Sequence, residues 1–320
     1  MAALGLFALL SLAVGAEPIA PGTVRDALLD YQPTDPQHLV IRTMRLPRTV
    51  IGLLVGTALG TAGAIMQGLT RNALADPGIL GVNAGAALFL VLGISLFGVT
   101  SLTGYVWFAF AGAALVAVIV YGIGTLGPDR ATPVKLALSG AAVSAAVGSV
   151  TTAIILGDTD AFDRMRLWQV GSLAGRNLDL AAQAAPFLLA GALLAIPCGR
   201  LLNGLALGDD VALALGQRVG VSRAVAAASV VILCGTATAL AGPIAFVGLA
   251  VPHMARLLTG PDHRLVLPCS AVLAPALLLA ADVLGRVLVS PSELQVGVVT
   301  AVLGAPIFVF LIRRRDLAAL

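Results

Sequence analysis

The sequence predicts an all-α polytopic membrane protein with about ten transmembrane helices and both termini cytoplasmic. Three observations carry this. Hydrophobic residues make up 59% of the 320 residues and charged residues only 11%, whereas soluble globular chains carry about 25% charge. Mean hydropathy is +1.01. Second, the chain divides into charge-free runs long enough to cross a bilayer, which takes about 20 apolar residues. Third, Ala224–Ala255 has no Asp, Glu, Lys or Arg over 32 residues. That is too long for one span and too short for two with a turn. Gly242-Pro243 in its second half predicts a full span, a break and a short helix. Irregular backbone at membrane depth occurs where it is buried in protein or lines a cavity. The break therefore predicts a transport path.

The elements follow in order. Met1–Ala16 is apolar and ends in small residues. No positive n-region precedes it, as a secretory signal would require, so it reads as a first transmembrane helix. Thr49–Thr70 is the second span. Pro77–Pro128, 52 residues without charge, holds the third and fourth with a turn near Gly98–Gly104. Leu136–Gly157 is the fifth and Leu180–Gly199 the sixth. Ala224–Ala255 holds the seventh and a short eighth ending at His253–Arg256. Leu265–Ala281 starts the ninth, and Leu294–Ile312 is the tenth.

The positive-inside rule orients the set. With the termini inside, eleven Lys and Arg fall inside (Arg71, Arg130, Lys135, Arg200, Arg218, Arg223, Arg256, Arg264 and Arg313–Arg315). Eight fall outside: Arg25, Arg42, Arg45, Arg48, Arg164, Arg166, Arg176 and Arg286. Glu17, Asp26, Asp30, Asp35, Asp158, Asp160, Asp163 and Asp179 are also outside, so that face is mixed in sign. The small net charge of +3 gives no basic surface of the kind that binds nucleic acid.

Several chemistries are excluded or disfavoured. Lys135 is the single lysine and follows Ala131-Thr132-Pro133-Val134, which is no phosphate-cradling glycine loop. Any ATP site must lie on another chain. Cys198, Cys234 and Cys269 are widely spaced in apolar runs and suggest neither disulfide nor metal framework. No metal site is visible, and His253 has no neighbouring ligand in sequence, so it reads as structural. An ion-coupled carrier would place Asp, Glu or His within its spans. Only Asp282 and Glu293 come close, both near the outer ends. No catalytic cluster lies within the spans.

Packing signals are strong. Gly52, Gly56, Gly60, Ala64 and Gly68 repeat every four residues, which lets helix backbones approach closely. Gly140, Ser144, Gly148 and Thr152 repeat the pattern, as do Gly297, Ala301 and Ala305. Gln67 and Asn83 are polar groups in apolar surroundings and are expected to hydrogen-bond between helices.

Four segments together resemble one family. Arg45-Leu-Pro-Arg48 precedes the first ladder. Arg71-Asn-Ala-Leu-Ala-Asp-Pro77 leads to Leu80-Gly-Val-Asn-Ala-Gly-Ala86. Gly242-Pro-Ile-Ala-Phe-Val-Gly-Leu-Ala-Val-Pro-His-Met-Ala-Arg256 closes the long run. Ala281-Asp-Val-Leu-Gly-Arg286, Glu293-Leu-Gln-Val-Gly297 and Gly304-Ala-Pro-Ile-Phe308 end the chain. This resembles the FecCD-type permeases of type II ABC importers, which carry ferric siderophores, haem or cobalamin. The likeness covers essentially the whole chain. Ala73 and Gln295 stand where the family commonly has Pro.

The resemblance implies a single transmembrane permease domain over residues 1–320, in the bacterial inner membrane. It implies a dimer with a second copy or a sister permease, two cytoplasmic ATPases that hold ATP and Mg, and a substrate-binding protein. The chain itself would need no cofactor. It implies docking of the binding protein on Arg45, Arg48 and Arg286, guanidinium forks that suit carboxylates. Arg286 is also placed to pair with Asp282 four residues earlier. It implies a coupling segment at about 203–221 that meets the ATPase. There Leu207, Gly208, Asp209, Asp210, Ala212, Leu215 and Gly216 build short helices. Asp209 and Asp210 suit a helix start, Val211, Leu213 and Leu215 offer apolar contact, and Gly216 suits a helix end. The path is implied beside Gly140, Ser144 and Gly148 and beside Gly242, Pro243 and Phe246.

Overall fold

The computed structural model describes residues 1–15, 19–126, 133–289 and 292–313. Glu17, Arg130, Arg314 and Arg315 lie outside them. Among the described residues all regular secondary structure is helical. The helices are α1 (Ala2–Ala13), α2 (Pro21–Leu29) and α3 (Pro36–Val40), which continues through a π turn at Ile41–Arg45 into α4 (Leu46–Thr70). A 3₁₀ turn at Pro77–Leu80 leads to α5 (Val82–Phe97), α6 (Leu102–Thr125), α7 (Pro133–Gly157) and α8 (Thr159–Gln169). Then come α9 (Leu178–Ala206), α10 (Asp209–Ala214), α11 (Val219–Ala241), α12 (Val247–Thr259), α13 (His263–Leu288) and α14 (Val296–Arg313).

Six helical units are long and apolar enough to cross a membrane: Pro36–Thr70, α6, Val134–Gly157, α9, α11 and α13. α1, α5 and Val296–Pro306 are shorter apolar helices. α1, at 12 residues, reaches roughly 18 Å at about 1.5 Å per residue.

Charge-free runs make several predicted helices too short. α4 is preceded by unbroken helix that already contains Arg45. α13 runs past Asp282 to Leu288, and α12 past Arg256 to Thr259. In each case the charge is neutralised or hydrogen-bonded inside the bundle, so it does not mark the membrane edge. Arg256 donates to the Gln67 side-chain oxygen, and Gln67 donates to Leu249 O at 3.0 Å. Asn83 accepts from Thr238 Oγ1 at 2.9 Å. Both amides thus tie helices together, as expected of buried polar groups.

α4 is the central helix, and its glycine ladder explains why. A Cβ on Gly52 would strike Leu279, on Gly56 Pro275, on Gly60 Ala274 and on Gly68 His263. The ladder is the α4–α13 seam, and rising numbers on α4 meet falling numbers on α13, so the two run antiparallel. Gly63, one position off the ladder, lets α12 in: its Cβ would lie 1.9 Å from Gly248 O.

α8 is an element the charge pattern hid. Asp158 caps it through Ala161 N at 3.0 Å, and Ala161, Met165 and Trp168 bury one stripe. Asp158 also accepts from Ser95 Oγ at 2.7 Å. These hydrogen bonds, Ala161 N first, hold its carboxyl below the usual carboxylate range.

Candidate transport path and its two polar ends

α11 stops at Ala241 and α12 begins at Val247, so the break sits where Gly242-Pro243 places it. Gly242 has φ 77°, and a Cβ there would meet Trp168 O at 2.4 Å. Only glycine fits both constraints. Opposite it, Gly171 has φ 71° and approaches Pro243 O. Ser172 N donates to Ala241 O at 2.7 Å and Gly297 N to Gly171 O at 3.1 Å. The ends of α8 and α11 and the start of α14 are thereby knotted at the break. Phe246 opens α12 with φ 67°, a left-handed conformation that costs a side-chain residue about 1–3 kcal/mol.

Beside this knot lies a cavity of about 480 Å³, lined by Asp76, Asn83, Gln169, Pro243, Gly297 and Ala301 among others. Asp76 caps the 3₁₀ turn through Gly78 N at 2.7 Å. Asp76 belongs to the Arg71–Pro77 motif, which gives it no role of its own. Its signal was an Asp-Pro pair that turns the chain back beside an apolar span.

Ladder positions on α7 divide sharply. Gly140 is buried, and its Cβ would fall 1.7 Å from Ile79 O, while Gly148 has no atom within 4 Å. Ser144 is half-buried, and its Oγ lies near Gly81. Only 11% of the most apolar stretch of α7 is buried in this chain, against 78% for Pro36–Thr70. α7 is therefore an outlying helix seated on the 3₁₀ turn at Gly140. Gly140→Ala is expected to unseat it and cut substrate uptake at least tenfold at equal membrane expression. Gly148→Ala is expected to transport like wild type. Equal uptake by both variants would remove Gly140 as the seat of α7.

At one end of the bundle the three docking candidates do not stand as free surface cations. Arg45 is 6% exposed and donates to Leu12 O at 2.9 Å and Ala13 O at 2.7 Å. Arg286 is 2% exposed. It donates to Ser11 O, Val14 O and Ser11 Oγ, each at 2.9 Å, and pairs with Asp282 at 2.9 Å. Arg48 engages Asp282 at 2.9 Å and Glu293 at 2.6 Å. Asp282 is fully buried between two guanidiniums, so the pairing four residues apart is realised. The orphan carbonyls at the end of α1 are capped by arginines from α13 and from the π turn before α4.

At the opposite end, α10 hangs between Gly208 (φ 105°) and Gly216 (φ 79°). Gln217 N reaches Ala212 O and Gly216 N reaches Leu213 O, both at 2.9 Å, which closes the helix with a glycine-terminated cap. Ala212 is buried, while Leu207, Val211, Leu213 and Leu215 are exposed. Asp209 pairs with Arg71 and, at 2.9 Å, with Arg223. Asp210 is exposed. His253 contacts Ala73 O at 2.8 Å through Nε2, in keeping with a structural histidine. No group of three or more His, Cys, Asp or Glu among the described residues is arranged to hold a metal.

The model of the FecCD transport family matches residues 3–314. The chain belongs to this family. A ferric enterobactin transport system permease protein, FepD, of Escherichia coli (strain K12) is 48% identical over 96% of this chain and 91% of its own length. The probable siderophore transport system permease YfiZ of Bacillus subtilis (strain 168) is 44% identical over 87% of this chain and 84% of its own. A cobalamin import system permease, BtuC, of Halobacterium salinarum is 37% identical, covering 92% and 79%. A solved metal-chelate-type ABC transporter in an inward-facing conformation superposes with TM-score 0.85 at 28% identity, covering 98% of this chain and 97% of that one. The fold is thus that of type II ABC importer permeases, and this FecCD member is a multi-pass membrane protein of the siderophore and iron-chelate importer family.

Proposed function

We propose that this FecCD permease carries a ferric siderophore inward across the bacterial cytoplasmic membrane, driven by ATP that separate subunits hydrolyse. The observation that carries the reading is the 48% identity to a ferric enterobactin permease over nearly the full length of both chains. Both termini are cytoplasmic in this reading, and ten helices cross, the shorter α1, α5, α12 and α14 included. A second permease copy or a sister chain completes the path against the exposed face of α7. The exposed apolar residues of α10 meet one of two cytoplasmic ATPases, which hold ATP and Mg. Alternating access then needs inward and outward states that the nucleotide stabilises differently.

A substrate-binding protein docks at the opposite end. Because Arg45, Arg48 and Arg286 are all buried, the exposed part of the arginine cluster is Glu293, which covers Arg48. The Glu293 side chain is 37% exposed and competes with any partner carboxylate for Arg48. Glu293→Gln is therefore expected to tighten binding-protein affinity several-fold at low salt. Titration of labelled binding protein onto the permease in nanodiscs checks this, and unchanged affinity would remove Arg48 from the docking surface.

The deciding experiment reconstitutes the permease with its cognate ATPase and binding protein in proteoliposomes and offers ferric enterobactin, haem and cobalamin. ATP-dependent uptake of the ferric siderophore alone is expected. Uptake that persists without the ATPase would sink the importer reading, and preference for cobalamin or haem would reassign the cargo.

A further inference from the structure

We propose that a furrow on the α4–α9–α13 face is a binding site for one anionic phospholipid. Two hollows form it. The larger, about 810 Å³, lies between Thr57 and Thr61 of α4, Ala192 and Pro197 of α9, and Pro268 and Ala271 of α13. The second, about 350 Å³, shares Thr57, Thr61 and Ala192 and continues between Leu54 and Leu189. From Arg200 to Ala185 along α9 the furrow spans fifteen residues, roughly 22 Å at about 1.5 Å per residue. One leaflet of a ~30 Å hydrocarbon core is shorter than this, so an acyl chain fits lengthwise.

Local chemistry explains why the furrow stays open. Between leucines that line its sides, small residues and prolines such as Thr57, Ala192, Pro197 and Ala271 leave a gap that larger side chains would fill. Proline has no N–H to give the carbonyl four residues earlier. Pro275 so frees Ala271 O, which Thr57 Oγ1 takes at 3.1 Å, and α4 and α13 are joined at the furrow floor. Gly199 closes one end: a Cβ there would lie 3.1 Å from Arg264 Cα. This contact brings Arg200 and Arg264 to the same mouth.

Those two arginines identify the occupant. Both line the larger hollow and both are exposed. Among the described residues neither has an ion-pair partner within 4 Å. Asp262, two residues before Arg264, acts on that guanidinium only at longer range, and one of its carboxylate oxygens accepts from Asn203 Nδ2 at 2.6 Å and from Arg264 N at 2.9 Å. Two unpaired guanidiniums at the end of an apolar groove match a phosphodiester headgroup above an acyl chain. A free phosphate has no use for the apolar continuation. A partner helix would leave two cations at its edge without a counter-charge. The site lies at the same end of the bundle as α10 and makes no use of the cavity beside the break, so it stands independently of which chelate is carried.

The test measures phosphatidylglycerol retained by the purified full-length permease, by native mass spectrometry. The variants are R200Q/R264Q, which keeps the furrow, and A192W, which fills it and keeps the charges. Each basic residue near a membrane surface contributes about fivefold to anionic lipid binding, so R200Q/R264Q is expected to weaken retention roughly 25-fold. A192W is expected to abolish it. Inorganic phosphate in large excess is expected not to displace the lipid. The proposal is overturned by undiminished retention in either variant, by equal retention of phosphatidylcholine, by displacement with phosphate, or by a copurifying polypeptide that R200Q/R264Q retains.

Discussion

Asp282→Ala is expected to destabilise the permease by about 3–5 kcal/mol, the usual cost of stripping one partner from a buried ion pair. Asp282 is 0% exposed and holds Arg48 and Arg286 at 2.9 Å each. Without it, Arg286 stays buried with no direct ion-pair partner, and Arg48 keeps only Glu293. The loss propagates to α1, because Arg286 caps Ser11 O and Val14 O. Thermal unfolding in detergent should show a large fall in midpoint and reduced membrane yield. Asp282→Leu combined with Arg286→Met should recover part of the loss, since a buried ion pair can be replaced by apolar groups that fill the same space. An Asp282→Ala protein that unfolds at the wild-type midpoint would show that the cluster does not hold this end together.

Asp209→Ala is expected to reduce ATP-driven uptake at least tenfold while leaving the permease folded and bound to its ATPase. The reason is geometric. The apolar side chains of α10 face outward, but the Asp209 carboxylate reaches back to Arg71 at the end of α4 and to Arg223 on α11. α11 ends at the break, and the loop from Arg71 leads to Asp76 in the cavity wall. In the proposed importer, a push on α10 would therefore reach the path through one carboxylate. Uptake and ATP hydrolysis should be measured together in proteoliposomes. Hydrolysis that continues while uptake falls is the expected result, and partial recovery by Asp209→Arg with Arg223→Asp would assign the effect to the ion pair. Wild-type uptake in Asp209→Ala would refute the linkage.

Much of this architecture was legible in the residues. The break at Gly242-Pro243, the Asp282–Arg286 pairing, the α4 ladder and the glycine-terminated end of α10 all rest on local rules. Each is set by backbone conformation, by spacing along one helix, or by length against bilayer thickness. Helix ends were less legible, because Arg48, Arg256 and Asp282 are charges that long-range partners neutralise or hydrogen-bond. α8 is not legible because its apolar stripe is brief and its charges interrupt the charge-free runs. The burial of Arg45 and Arg286 was illegible for a related reason, since their acceptors are backbone carbonyls of α1 more than thirty and two hundred residues away.

By itself the sequence determined that this chain is a many-helix membrane protein with one interrupted span and no ATP site of the P-loop kind. These follow from composition, run length and motif chemistry, which act over a few turns of helix. Only the tertiary structure decided that Arg48 and Arg286 turn inward on Asp282 and that Asp209 ties α10 to α4 and α11. It also decided that Asp76 faces the cavity beside the break and that Arg200 and Arg264 share one mouth. Each depends on which helices become neighbours, and that is settled by backbone approaches at Gly56, Gly63, Gly140 and Gly199 that no single segment encodes alone.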